Sequence, residues 1–346
     1  MNFANKTTFS IAAIPYKWPD GRYFLSVIVK GTFSIKQNEQ AAIAAEQIPI
    51  LYADEFYHDE SGNVRFEADI APFKPKTDII LVGRAYAPGK TSVGYLNVSL
   101  RVGRFMKTLN VFGDRHWERS GLLLSWNPSA PQPFNVMDLV YEQAFGGNDP
   151  VSNESYAQNP IGTGFISRKS NQSPGDIKLP NIEDPAQLIV SPKDQPKPAG
   201  FGCYGRAWRP RTDCLGTYDE KWREERCPDL AADFRFDFYN AAHPDLQTTD
   251  YLNGDEEVEL VNITPDGKQK FWLPGIKPVA QVTSSSPASQ SISPKLNPAE
   301  KYPVALNLDT VCFIPDENRL FQIWRGIHPV SDITTPGIGL IEVALG

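Results

Sequence analysis

The chain has 346 residues, 34 basic and 41 acidic side chains, and a formal charge of -7, so it carries no long-range field for nucleic acid and none is expected as a partner. No run of about 18 apolar residues exists, which excludes a membrane-spanning helix. With 30 prolines, 25 glycines and little helical periodicity, the composition predicts a mainly β fold: antiparallel, sandwich-like sheets, long ordered loops and one or a few short helices.

At the N-terminus, Pro15, Lys17 and Asp20 interrupt the apolar stretch and no basic start precedes it; no signal peptide is read, and a cytoplasmic location is expected. Tyr23 to Ile35 reads as a strand. Asp54, Glu55, Asp59 and Glu60 then form an acidic cluster. Facing carboxylates in a groove with aromatic rings can bind or hydrolyse sugars. Calcium at Asp54 to Glu60 is less favoured, because the regular alternate-oxygen loop with a central glycine is missing.

Asp78 to Tyr86 is the next predicted strand. It leads into Gly83-Arg84-Ala85-Tyr86-Ala87-Pro88-Gly89-Lys90-Thr91, which imitates a phosphate loop. Five residues instead of four separate its glycines, and a strand instead of a helix follows, so a strand-to-strand turn is expected. In Tyr95 to Val102, Leu96, Val98, Leu100 and Val102 alternate with polar or exposed-type residues, the period of a strand with one buried face. Phe105 to Phe112 is its predicted hairpin partner across Gly103-Arg104.

Residues 146–216 read as a long loop region, carrying Asn159-Pro160-Ile161-Gly162-Thr163-Gly164 and Leu179-Pro180-Asn181. Loops of this length are functional, flexible or both. Within it, Gly200-Phe201-Gly202-Cys203-Tyr204-Gly205 has the spacing of a dinucleotide fingerprint. That fingerprint needs a strand before it and a helix after it; Pro192, Pro196 and Pro198 deny the first and Pro210 the second, so no cofactor is expected. A demanding tight loop remains, with Gly200 or Gly202 expected in backbone conformations closed to other residues.

Thr217-Tyr218-Asp219-Glu220 matches a capping box and predicts a helix over about 218–227, bounded by Pro228. Arg206, Trp208, Arg209, Arg211, Tyr218, Asp219 and Trp222 are the candidate site residues, since Arg, Trp and Tyr dominate interface energies. The charges of this stretch nearly cancel, Arg206, Arg209, Arg211, Lys221, Arg223 and Arg226 facing Asp213, Asp219, Glu220, Glu224 and Glu225, so the equal alternative is an internal salt-bridged clamp with Trp222 buried against the Trp208 loop.

Glu256 to Ile263 and Lys270 to Leu273 are further strands, and Asp255, Glu256, Glu257 and Glu259 form a second acidic cluster. Glu257 and Glu259 alternate with Val258 and Leu260, as on the solvent face of a strand. Residues 281–298 are rich in Ser, Pro and Gln and are expected to be mobile. Thr310 to Ile314 and Arg319 to Arg325 flank Pro315-Asp316-Glu317-Asn318. All these connections suggest antiparallel pairing within one large domain spanning 1–346.

Cys203, Cys214, Cys227 and Cys312 lack C-x-x-C spacing; a zinc site from the first three and a histidine is conceivable, but buried or half-buried free thiols are the expectation. No metal or catalytic set is assigned: His58, His116, His243 and His328 are scattered, and no G-x-S-x-G elbow is present.

Ordered motifs supply a resemblance. They include Val29-Lys30-Gly31-Thr32-Phe33, Thr77-Asp78, Gly113-Asp114-Arg115-His116-Trp117 and Tyr141-Glu142-Gln143-Ala144-Phe145-Gly146-Gly147. Further on come Trp208-Arg209-Pro210-Arg211, Gly216 to Trp222, Tyr239-Asn240-Ala241-Ala242, Leu308-Asp309-Thr310 and Trp324-Arg325-Gly326. Over roughly residues 20–326 the chain resembles a bacterial domain-of-unknown-function family whose genes lie beside those of the type VI secretion spike, and whose members look like cytosolic adaptors or chaperones for secreted toxins. Cys203 stands where that family commonly has a small residue or proline. The resemblance implies a non-enzymatic adaptor that holds a toxin effector or its PAAR-like tip domain and helps load it onto the valine-glycine-repeat (VgrG) spike. The alternative is a carbohydrate-active or carbohydrate-binding β-sandwich using Asp54, Glu55, Asp255 or Glu256.

Overall fold

The computed structural model describes residues 2–57, 63–121, 124–284, 300–332 and 337–346. Its spine is the strand Tyr23–Ser34, which reads Tyr-Phe-Leu-Ser-Val-Ile-Val-Lys-Gly-Thr-Phe-Ser and is buried over nearly its whole length. A strand covered on both faces has no need of polar alternation. It pairs antiparallel with Ser10–Lys17 on one side and with Arg319–Val330 on the other. Asn307–Ile314 comes next, followed by Asp78–Leu81 in parallel.

A second sheet has the order Ile182–Glu183, Phe105–Phe112, Tyr95–Val102, Glu257–Val261 and Lys268–Trp272. The hairpin predicted from alternation is present residue for residue, Val102 facing Phe105 and Tyr95 facing Phe112. Leu96, Val98, Leu100 and Val102 all point inward, and Gly103 makes the turn at φ +54°. The two larger sheets share one apolar core, in which the Phe271 ring lies 6.0 Å from that of Phe313. A third sheet combines Asn2–Asn5, Ile338–Leu345, Pro278–Ser284 and Lys301–Val304. The architecture is mainly β, as the composition predicts, and mostly antiparallel.

Several expectations need correction. The Asp78 to Tyr86 strand divides at Gly83: Asp78–Leu81 pairs with Asn307–Ile314, whereas Arg84–Tyr86 pairs with Val136–Asp138. Pairing is not wholly antiparallel either, since Asn2–Asn5 also runs parallel to Ile338–Leu345. Residues 281–284 belong to the Pro278–Ser284 strand, not to a mobile segment, while the remainder of the 281–298 stretch lies outside the described residues.

The 146–216 region is ordered by local polar bonds around its own small core of Trp117, Phe145, Phe165, Leu179 and Ile189. Asp149 accepts the amides of Val151, Ser152 and Ser167. Asn159 Nδ2 donates to the Tyr141 and Phe145 carbonyls. Side chains here do for the backbone what a sheet ladder does elsewhere.

Candidate functional site: an arginine and tryptophan loop over a buried ion network

The Gly200 to Arg211 segment is held from below by charge. Arg211 Nη2 lies 2.6 Å from Glu67 Oε1, and both side chains are buried. The same guanidinium donates to the Tyr204 and Phe238 carbonyls, so its donors are used in several directions at once. Arg206 joins Glu67 and Asp54, each at 2.9 Å. Burial alone would push the Glu67 carboxyl up, but Arg211, Lys74 and Arg206 together hold it below its ordinary range.

Three further buried pairs continue beneath it: Lys30 with Asp69 at 2.7 Å, Lys74 with Asp78 at 2.8 Å, and Arg325 with Asp309 at 2.6 Å. Thr310 links two of them, accepting from Lys74 and donating to Asp309. Asp78 also accepts from Asn240 Nδ2 and from the Ala241 and Ala242 amides, which ties residues 240–242 to the sheet. Every charge in the set has an opposite charge, and Asp78, Lys74, Arg325, Asp309 and Arg211 have further hydrogen bonds, the condition under which burial is tolerable. Lys30, Asp78, Asn240, Asp309, Arg325 and Arg211 all belong to motifs that carry the resemblance, so much of that signature is internal scaffolding.

Above the ions sits an aromatic stack. Tyr141 is fully buried, its ring 4.9 Å from Tyr204 and 5.6 Å from Trp208. Gly200 lies so close to it that a Cβ would meet Tyr141 Cε1 and Cζ at 2.7 Å. The glycine is needed for close approach; neither Gly200 nor Gly202 has the positive φ expected of them. The ring partner of Trp222 is Tyr218, at 4.7 Å, and its indole Nε1 donates to the Asp229 carbonyl. Trp222 is half-buried, not buried on the Trp208 loop; its neighbours Arg226 and Asp229 bond to the Pro19 carbonyl and to Lys17 instead.

The helix that carries Trp222 is shorter than expected, Glu220–Glu225, and Asp219 caps it by accepting the Trp222 amide at 2.9 Å. Thr217 is not the cap, because its hydroxyl donates to Asp233 instead. Among the candidates, then, Arg206, Trp208 and Arg211 are brought together as a clamp. Arg209, Tyr218 and Asp219 are exposed, Arg209 pairing with Asp213 at the surface.

Arg209 stands at a cleft of about 320 Å³ that is also lined by Tyr204, Lys197, Asp213, His243 and Asp245. Two of its lining carboxylates, Asp184 and Asp245, are bridged by the buried Lys107, at 3.2 and 2.8 Å. His243 Nδ1 accepts the Asp245 amide. Burial pushes the imidazole down to about 4, Lys107 adding to this against the opposing pull of Asp245. A neutral ring fixed in this way caps the Pro244–Leu246 turn. Sequence reading left His243 among the scattered histidines and missed Glu67, Lys107 and Asp245; nothing in their spacing joins them.

The other chemistry considered resolves into structural bonds. Asp54 accepts the Ala68 amide besides pairing with Arg206, Glu55 pairs with Arg65, and Glu256 accepts the Asn253 and Gly254 amides. Asp59 and Glu60, and with them the far end of the calcium candidate, lie outside the described residues. Cys203, Cys214 and Cys312 are buried and Cys227 is exposed, all as free thiols. Burial pushes the Cys203 thiol up to about 12. Among the described residues, no three His, Cys, Asp or Glu side chains are placed to hold a metal ion. No helix there is long and apolar enough to cross a membrane.

Residues 20–325 match the model of a family described as an uncharacterized protein conserved in bacteria, DUF2169. The chain belongs to this family. It matches no curated protein and no solved structure.

Proposed function

We propose that this DUF2169 protein is a cytosolic adaptor that binds a type VI secretion effector, or its PAAR-like tip domain, and helps load it onto the VgrG spike. The observation that supports it most is the division of labour in the Gly200 to Trp222 segment. Arg206 and Arg211 tie the segment to Glu67, and Trp208 packs on Tyr141, while Arg209 and Tyr218 are exposed. A loop ordered before contact loses little conformational entropy on binding, which suits protein recognition. The engaged Asp54, Glu55 and Glu256 carboxylates add no support to the carbohydrate alternative.

The test is co-purification of the tagged protein with the products of the neighbouring toxin and spike genes. Recovery of toxin or spike is expected. Recovery of neither, with normal toxin secretion from a deletion strain, overturns the proposal.

A further inference from the structure

A second cleft, of about 760 Å³, lies on the far part of the 146–216 region, away from the Arg209 cleft in its lining residues. Its walls are the Ser125–Pro128 strand, the segment around Ile166 to Ser170, Pro174 and the turn Ser191 to Gln195. These walls are fixed: Gln195 Nε2 donates to the Ile166 carbonyl, Asp149 accepts the Ser167 amide, and Asp194 accepts the Val190 and Ser191 amides. Trp126 supplies an aromatic wall, its ring backed by the Arg119 guanidinium at 4.9 Å and approached closely by Gly175.

Charge distinguishes this cleft from the first. Its charged lining residues are Arg168 and Lys193, both exposed, and no carboxylate lines it. Neither cation makes an ion pair with any described residue. The acids close by are already engaged: Glu154 with Lys169 and Ser167, and Asp194 with backbone amides. Nearby Lys169 and Lys178 have counter-charges in Glu154 and Asp114, so on a chain of net charge -7 the two unpaired cations that line the cleft with an indole and several hydroxyls form a local site of positive potential. Leu124 and Val190, adjacent in the chain to lining residues Ser125 and Ser191, are apolar side chains left 62% and 66% exposed.

From this geometry we infer that the cleft binds an acidic, extended peptide segment, its carboxylates on Arg168 and Lys193 and an apolar or proline side chain against Trp126. The volume is that of a site for a few residues and far larger than a simple anion needs. Guanidinium and ammonium supply charge-assisted hydrogen bonds, and the serine hydroxyls and indole add polar and apolar contact without competing negative charge. The inference rests on the adaptor reading only for which protein supplies the segment.

The test is fluorescence anisotropy of the full chain with a fluorescein-labelled heptapeptide of alternating glutamate with leucine and proline, at low and at physiological salt. Saturable binding is expected, weaker at the higher salt, and weakened about tenfold or more by Arg168→Glu with Lys193→Glu. The milder pair Arg168→Gln and Lys193→Gln, checked for an unchanged melt, is expected to weaken it in the same direction. The same peptide with glutamine for glutamate is expected not to bind. No binding of the acidic peptide, equal binding by the folded double variants, or preferential displacement by inorganic phosphate or an oligothymidylate would each overturn the inference. A synthetic ligand keeps this result separate from recovery of toxin or spike.

Discussion

Arg211 and Glu67 meet at 2.6 Å beneath the Gly200 loop, with side chains only 3% and 8% exposed. Arg206 shares the same carboxylate oxygen. Replacing Glu67 with Gln therefore leaves a buried guanidinium uncompensated, and a loss of about 3–5 kcal/mol in denaturant unfolding is expected. Because the Glu67 carboxyl is held below its ordinary 4.5, its stabilisation is complete above that pH and is lost as pH falls through the lowered folded value. The gap between wild type and variant should accordingly narrow in acid. An unchanged gap, or none at neutral pH, would contradict the clamp.

Gly200 and Gly202 give a matched pair of substitutions. Alanine at Gly200 places a methyl 2.7 Å from the Tyr141 ring, whereas at Gly202 the nearest ring atom is 3.9 Å away. Gly200→Ala is expected to cost about 1–3 kcal/mol by overpacking. Gly202→Ala, whose new methyl meets only an ordinary van der Waals contact, should cost less than about 1 kcal/mol. Thermal melts of both variants side by side decide it.

His243 predicts a pH dependence of the opposite chemical origin. Its folded pKa is about 4, below the ordinary 6.5, so between these values the unfolded chain takes up the proton first. Stability from this site is thus full above about pH 6.5 and is lost as pH falls towards 4. His243→Asn keeps an acceptor for the Asp245 amide and should remove that part of the slope. Denaturation curves at pH 7 and pH 5 measure it; an identical slope in the variant would refute the assignment.

Trp208 and Arg209 are neighbours with different work. Trp208→Ala empties a site in the aromatic stack and is expected to cost about 3–5 kcal/mol. Arg209→Ala removes an exposed pair with Asp213 and should change stability by less than about 1 kcal/mol. Under the adaptor proposal, Arg209→Ala nonetheless lowers partner recovery in the co-purification. Full recovery would remove Arg209 from the partner surface.

Periodic segments were legible in the sequence. The alternation of Leu96, Val98, Leu100 and Val102 needed one buried face, and the hairpin with Phe105–Phe112 meets that need. Caps were less so: Thr217 and Asp219 are both good caps, and only the folded position of Asp233 removes the threonine from the choice. Buried charge was invisible, since no spacing links Lys30 to Asp69 or Asp309 to Arg325 before the fold brings each pair together. Trp208 and Trp222, close in sequence, have different ring partners, Tyr141 and Tyr204 for the first and Tyr218 for the second, because proximity along a loop does not fix direction. The cleft at Trp126 and Arg168 combines segments about 40 residues apart, with no motif to announce it.

The pairing of Tyr23–Ser34 also governs how the molecule comes into being. One edge of that strand is satisfied by Ser10–Lys17, a hairpin neighbour made almost at the same moment. Its other edge waits for Arg319–Val330, with Ser34 opposite Arg319 and Tyr23 opposite Val330. A nascent chain therefore carries an apolar strand with one open edge until residues 319–330 have been made. Contacts of such long sequence separation are slow to close and expose the unfinished sheet to wrong partners, including other nascent copies. Yield of folded protein is then set by the speed of synthesis and by protection of that edge, as well as by the stability of the finished fold.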